Sequence, residues 1–302
     1  MYMSKILIIT CSYDKTIDYI IEKNKYRANF FRFNVDLFAD YGITISNSYW
    51  EISYRNNTIN SNTTLSIYYR KPTFPDTSDF APEYRRIINS DILAIIDGLA
   101  NSFSGVVLTK PYLLRQAENK IFQLIYAKSH SILMPKSFIG NNDYWKCIND
   151  QRIIKPISVG KIETSSGIAI IQTNLMHEND SFDSPELTPV YIQEYIKKSF
   201  EVRITVVDDD FFDVKIVSDN MIDWRAGNNN QYEIIDIPIE IKKCIKMMMK
   251  DFQLRFGAID YIVDVDGKWY FLEINPNGQW QWLECILGLS ISDSIMNMLL
   301  GG

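Results

Sequence analysis

The chain has 302 residues, of which 46% are apolar, 13% aromatic and 23% charged, and its net charge is −6. That is the length of about two domains with a sizeable buried core, and the composition excludes disorder. The acidic balance removes the broad basic field on which nucleic-acid and membrane-surface binding rests, so neither partner is expected.

Residues 5–10, Lys-Ile-Leu-Ile-Ile-Thr, read as a buried parallel strand. The apolar run 6–9 is too short for a signal-peptide core or a membrane span, and a cytoplasmic protein is expected. A helix over 15–23 and a strand over 30–35 complete a β-α-β opening. A strand over 65–69 runs into Arg70, Lys71 and Pro72, and the proline-containing stretch 73–82 is loop. Over 116–129, Ala117, Ile121, Leu124, Ile125 and Ala127 form a helical stripe with Lys120 in its first turn, within reach of a phosphate.

A strand over 151–155, a loop over 158–167 carrying Gly160 and Gly167, and a strand over 168–172 have the grammar of a hairpin with a mobile tip. A strand over 190–196 follows. Strands over 201–207 and 211–217 then flank Asp208, Asp209 and Asp210, and a three-residue loop there sets Lys215 opposite Arg203. A helix opens at Pro238 and closes at Gly257. The chain therefore divides into an α/β unit over 1–108 and two further subdomains over 109–190 and 191–302, with the active site between the lobes.

Cys11, Cys147, Cys244 and Cys285 are far apart in the sequence and read as reduced thiols. Only His130 and His177 are present, which disfavours a His-rich zinc site and a Ser-His-Asp triad. A metal here belongs on oxygen ligands.

The most informative segment runs from Ala258 to Pro276. Asp266-Gly267 is a two-residue hairpin signal. With that loop, pairing sets Asp260 directly opposite Glu273, and Asn275 points the same way by the period of two. Opposed side chains have Cβ atoms roughly 4.5–5.5 Å apart, and like charges at that range destabilise a sheet unless a cation compensates. Three oxygen donors without His or Cys select Mg²⁺ or Mn²⁺ held together with phosphates.

Glu273-Ile274-Asn275-Pro276-Asn277-Gly278-Gln279-Trp280 resembles the metal-binding end of ATP-grasp enzymes, and in its details the graspetide synthetases, with a more distant likeness to RimK-like ligases. Tyr69-Arg70-Lys71-Pro72, Ala117-Glu118-Asn119-Lys120 and Asp223-Trp224-Arg225 carry the resemblance along most of the chain.

The resemblance implies an α/β fold, with α+β lobes, in which a pre-ATP-grasp domain precedes the ATP-grasp domain. It implies Lys120 and Lys155 on nucleotide phosphates, a phosphate-covering loop over 158–167, and an adenine hinge at Gln193, Glu194, Tyr195 and Ile196. It further implies Glu201 on the ribose, Arg203 and Lys215 near phosphate, Arg225 at the transferring phosphoryl group, and Arg70 with Arg225 on the acceptor carboxylate.

The implied activity is that of an ADP-forming ligase using ATP and Mg²⁺. It would activate Asp or Glu side chains of a ribosomal precursor peptide and join them to Thr or Ser as esters, or to Lys as amides, giving a macrocycle. A homodimer is expected. The alternatives are a RimK-like ligase of amino acids or small molecules, and a non-catalytic nucleotide-dependent peptide-binding module.

Overall fold

A computed structural model describes residues 4–142, 146, 151–158, 161–164, 167–170, 173–177, 180, 186, 187 and 189–301. Strand β1 (Lys5–Thr10) leads into helix α1 (Lys15–Asn24), whose Asp14 N-cap accepts from the amides of Thr16 and Ile17. Strand β2 (Phe30–Asn34) pairs parallel to β1. A three-stranded meander follows, of β3 (Gly42–Ile45), β4 (Trp50–Tyr54) and β5 (Asn57–Asn60). Strand β6 (Thr64–Tyr69), helix α2 (Pro82–Ser102) and strand β7 (Val106–Leu108) complete a parallel sheet of order β2-β1-β6-β7.

Residues of β1 are buried on both faces, the condition that produces a continuous apolar run. Leu7 and Ile9 join a core with Phe31, Phe33, Ile52, Ile96 and Leu99 beneath the meander and α2. Ile6 and Ile8 join a different core, discussed below.

The expected single helix over 116–129 is two, α3 (Pro111–Glu118) and α4 (Lys120–Ser129). Asn119 breaks them because its side chain caps α4, accepting from the amides of Ile121 and Phe122, and Lys120 becomes the first residue of α4. Strands β8 (Ser137–Gly140), β9 (Arg152–Lys155), β10 (Lys161–Thr164), β11 (Gly167–Ile170), β12 (Asn174–Met176) and β13 (Val190–Glu194) follow. Strands β10 and β11 pair as a hairpin, and the other four form a sheet of order β12-β9-β13-β8. Gly160, the tip residues 165 and 166, and the strand end at 171–172 lie outside the described residues. Strand β13 spans the expected 190/191 boundary and belongs to this smaller sheet.

The larger sheet, of order β16-β15-β14-β17-β18, comprises β14 (Lys198–Val207), β15 (Asp210–Val217), β16 (Gln231–Ile234), β17 (Phe256–Asp264) and β18 (Trp269–Asn275). Helix α5 (Ile239–Asp251) packs on one face through Ile245, Met248 and Met249, against Val202, Ile204 and Ile259. It ends earlier than Gly257, which lies inside β17. Gln253, at φ 55°, turns the chain out of the helix instead.

Helices α6 (Gln281–Leu287) and α7 (Ile291–Leu299) finish the described chain. They were not anticipated. Ile291, Ile295, Met296 and Leu299 pack with Ile6 and Ile8 of the first sheet, with Ile17 and Ile20 of α1, and with Val214, Ile216 and Ala258 of the larger sheet. Glu284, buried in α6, accepts from Tyr19 Oη at 2.8 Å and Lys23 Nζ at 2.7 Å, tying α1 to the C-terminal helices. Among the described residues no helix is long and apolar enough to cross a membrane. Cys11, Cys244 and Cys285 are free thiols, and Cys147 is outside the described residues.

Candidate active site

Asp260 of β17 does stand opposite Glu273 of β18, by a route that differs from the two-residue loop read in the sequence. Val263 pairs with Trp269, and Asp264 accepts from the Gly267 amide and donates its own amide to the Lys268 carbonyl, so Val265, Asp266 and Gly267 form a three-residue turn. Gly267 takes the left-handed conformation that such a turn requires, with φ 79°.

The register then slips by one between Asp260 and Tyr261, leaving Leu272 as the extra residue of a bulge. That slip lets Phe271 and Ile274 both face the α5 core while Glu273 faces the opposite side with Asp260. Asn275 pairs with Ala258 on that same side, and its Oδ1 accepts the Asn277 amide at 3.0 Å.

Asp260 is buried, and both of its oxygens accept from Arg203 Nη1 at 2.8 Å. Arg225 Nη2 adds a contact at 3.1 Å. Burial opposes ionisation of Asp260, but Arg203 and then Arg225 outweigh it and hold the carboxyl below its ordinary range. Arg203 Nη2 also reaches the Gln279 carbonyl at 3.4 Å. The loop passes so close that a Cβ on Gly278 would lie 2.9 Å from Arg203 Nη2 and 2.4 Å from the Ala258 Cβ.

Glu273 has no hydrogen-bond or ion-pair partner among the described residues and lines the cleft with Lys120 and Lys155. Among the described residues no group of three or more His, Cys, Asp or Glu is arranged to hold a metal ion. The predicted donor set is instead two carboxylates and an amide. These hard oxygens fit Mg²⁺, which keeps several positions for water and phosphate.

Across a cleft of about 350 Å³ stand Lys155 from the end of β9 and Lys120 from the start of α4. Lys155 Nζ donates to Gln193 Oε1, and Lys120 Nζ to the Pro156 carbonyl, each at 2.6 Å. Burial pushes the Lys155 ammonium down to about 8, with Glu273 opposing and Lys120 adding to the fall. Burial likewise lowers Lys120 against the pull of Glu273.

Gln193 is fully buried, and its Nε2 donates to Ser137 Oγ and Tyr191 Oη. Glu194, Tyr195 and Ile196 follow at the junction of the two sheets, where the amides of Glu194 and Tyr195 donate to the carbonyls of Lys136 and Gln151. Glu201 is buried, and burial raises its carboxyl despite the adjacent Lys198 ammonium. It also accepts the Trp224 amide at 3.3 Å, which brings the Asp223-Trp224-Arg225 turn to the face that carries Asp260. Asp223 accepts the Arg225 amide, and its carboxylate pairs with the guanidinium at 3.3 Å.

Two expectations are corrected. The loop between β14 and β15 has two residues, so Lys215 pairs opposite Val202 and stands on the other face from Arg203. There it meets Glu233 at 3.1 Å and the Phe200 ring. Arg70 has no exposed surface. Its Nε lies 3.2 Å from Asp14 Oδ2, its Nη2 donates to Gln279 Oε1 at 2.7 Å, and its Nη1 to Asn277 Oδ1 at 3.4 Å. It joins the first sheet to the loop after β18 and presents no group to the cleft.

Two positions escaped the sequence reading. Lys198 neutralises Glu201, and buried Gln123 of α4 exchanges hydrogen bonds with both the amide and carbonyl of Ile274, fixing β18 beside its carboxylate. The only sequence signal for Gln123 is a polar residue inside an apolar helical stripe. Trp280 is entirely buried in the core.

Carboxylates on one sheet facing a lysine of another sheet and a lysine at the start of α4, with a hinge strand between, define a nucleotide site of the ATP-grasp class. The chain belongs to the RimK-like ATP-grasp family, whose domain model matches residues 117–299, more than half its length. No curated protein matches.

Among solved structures, the macrocyclase MdnC bound with precursor peptide MdnA, from Microcystis aeruginosa MRC, is 25% identical with a TM-score of 0.89, covering 99% of this chain and 100% of that one. A Chryseobacterium gregarium RiPP-associated ATP-grasp ligase, in complex with ADP and a leader and core peptide, is 25% identical with a TM-score of 0.87, covering 98% and 96%. The macrocyclase MdnB from Microcystis aeruginosa MRC shares the fold at 24% identity and a TM-score of 0.84, over 99% and 100%.

Proposed function

We propose that the protein is an ATP-dependent ligase that activates Asp or Glu side chains of a ribosomally made precursor peptide and crosslinks them to Thr, Ser or Lys side chains. The observation that carries this reading is the opposition of Asp260 and Glu273 on one sheet face, across a cleft from Lys120 and Lys155. The likeness to MdnC and to the Chryseobacterium ligase supports a peptide as the substrate.

In this reading Asp260, Glu273 and Asn275 hold Mg²⁺ or Mn²⁺. The bound cation neutralises charge on the nucleotide phosphates. Lys120 and Lys155 grip the same phosphates from the facing side, the backbone at Gln193 to Ile196 takes adenine, and Glu201 takes ribose. Arg203 acts through Asp260, orienting it. Arg225 is the half-exposed cation beside that carboxylate, placed to steady the transferring phosphoryl group.

A substrate carboxylate oxygen attacks the γ-phosphorus and ADP leaves, giving an acylphosphate. A hydroxyl or amine then attacks its carbonyl carbon, phosphate departs with the C–O electron pair, and the nucleophile's proton passes to solvent. These residues position and neutralise, which is the larger part of catalysis in phosphoryl transfer.

Co-expression with short peptides encoded beside the gene, followed by mass spectrometry, tests the proposal. Each ester or amide removes one water, about 18 Da, as the condensation of an activated acyl group requires. Fragmentation that assigns the loss to side-chain bonds supports it. Addition of free amino acids to a peptide or small molecule, with no water loss inside a peptide, selects the RimK-like alternative that the family match also accommodates.

A further inference from the structure

Burial of Arg70 leaves open which cation of the first lobe meets an acidic substrate, in a chain whose net charge of −6 repels one. The next residue differs in every respect. Lys71 is exposed, and its ammonium has neither a hydrogen bond nor an ion pair among the described residues. Its backbone adopts φ 43° immediately before Pro72, a conformation that costs a side-chain-bearing residue energy and survives where the surroundings impose it.

The groups facing Lys71 come from four parts of the molecule: Arg70 beside it, Asp14 at the start of α1, Glu118 at the end of α3, and Arg203 of β14. Arg70 is matched by Asp14, and Arg203 by Asp260. Lys71 and Glu118 are the two charges of this group without an ion-pair partner among the described residues. The Lys71 side chain is nonetheless crowded by the surrounding protein. That crowding, and next the charge of Arg70, push its ammonium down to about 8, with Asp14 and Glu118 opposing and Arg203 adding to the fall. An arriving anion relieves this repulsion.

We propose that Lys71 is the substrate-recognition residue of the first lobe, pairing with a carboxylate of the acidic peptide. The assignment rests on the peptide-ligase reading and supplies the contact that Arg70 does not.

Titration calorimetry with hexaglutamate as probe, on the full chain with MgADP present, tests it. Lys71→Met is expected to weaken hexaglutamate binding about tenfold at pH 7, as loss of one charge-assisted pair implies, with MgADP affinity unchanged and with recovery in Lys71→Arg. In the wild type, probe affinity falls as pH rises through about 8, because the ammonium loses its proton there. Lys71→Arg removes that fall.

Unaltered probe binding by Lys71→Met, or no binding by the wild type, overturns the assignment. An equal loss of MgADP affinity also overturns it, since Lys71 is then a phosphate contact. Failure of the ligase reading itself registers separately, as wild-type protein that removes no water from co-expressed peptides.

Discussion

Asp260 and Glu273 face each other but carry different obligations, and substitution separates them. Asp260 is the buried counter-ion of Arg203 and a partner of Arg225, so Asp260→Asn leaves a buried guanidinium uncompensated and costs about 3 kcal/mol. Glu273→Gln disturbs no hydrogen bond or ion pair of the described residues and stays within about 0.5 kcal/mol of wild type. Both variants are expected to lose turnover.

Chemical denaturation at neutral pH checks the contrast. The depressed carboxyl of Asp260 contributes fully above the ordinary carboxylate range, and that contribution is lost as pH falls through its lower folded value. The Asp260→Asn penalty therefore shrinks in acid. Arg70→Ala is expected to lower the thermal midpoint sharply, because it removes the ion-pair partner of the nearly buried Asp14 and the hydrogen bonds to Gln279 and Asn277. A variant that melts like wild type but binds acidic peptide poorly contradicts the buried-strut role. Full burial of an arginine is decided by packing between lobes, which one strand-end motif does not encode.

At the level of elements, the pairing of Asp260 with Glu273 was legible because its two departures from the simple reading cancel. A turn one residue longer moves the register one way and the Leu272 bulge moves it back. Where no second irregularity compensates, the same kind of error survives, and the β14–β15 loop, one residue shorter than read, sends Lys215 to the wrong face.

Deleting Leu272 takes out the extra residue itself, so Glu273 follows Phe271 in regular alternation and still faces Asp260. The expected result is a variant that keeps turnover. Loss of turnover with a wild-type urea midpoint overturns this reading of the bulge. Asn119 splits a legible helical stripe for a comparable reason, since its capping side chain outweighs the propensity of the residues around it.

Across the whole molecule, the α/β class, the first sheet and the site hairpin were readable from periodicity and turn residues, whereas the C-terminal helices were not. Their apolar faces are explained only by what they cover. One face of the first sheet is closed by α1 together with α7, through Ile6, Ile8, Ile295 and Met296. Residues 1–108 are therefore not a self-sufficient core. A fragment of that span is expected to show a broad, weakly cooperative thermal transition, measured by circular dichroism, and to recover on addition of the remainder of the chain. A sharp transition in the isolated fragment contradicts this.

The closure of the first sheet by α7 also sets an order of events during synthesis. Ribosomes add roughly 5–20 residues per second. The stretch between β7 and the end of α7 thus takes on the order of ten to forty seconds to appear. Through that interval Ile6 and Ile8 wait with an incomplete covering, open to chaperones or to a neighbouring nascent chain. The lobe made first is finished last.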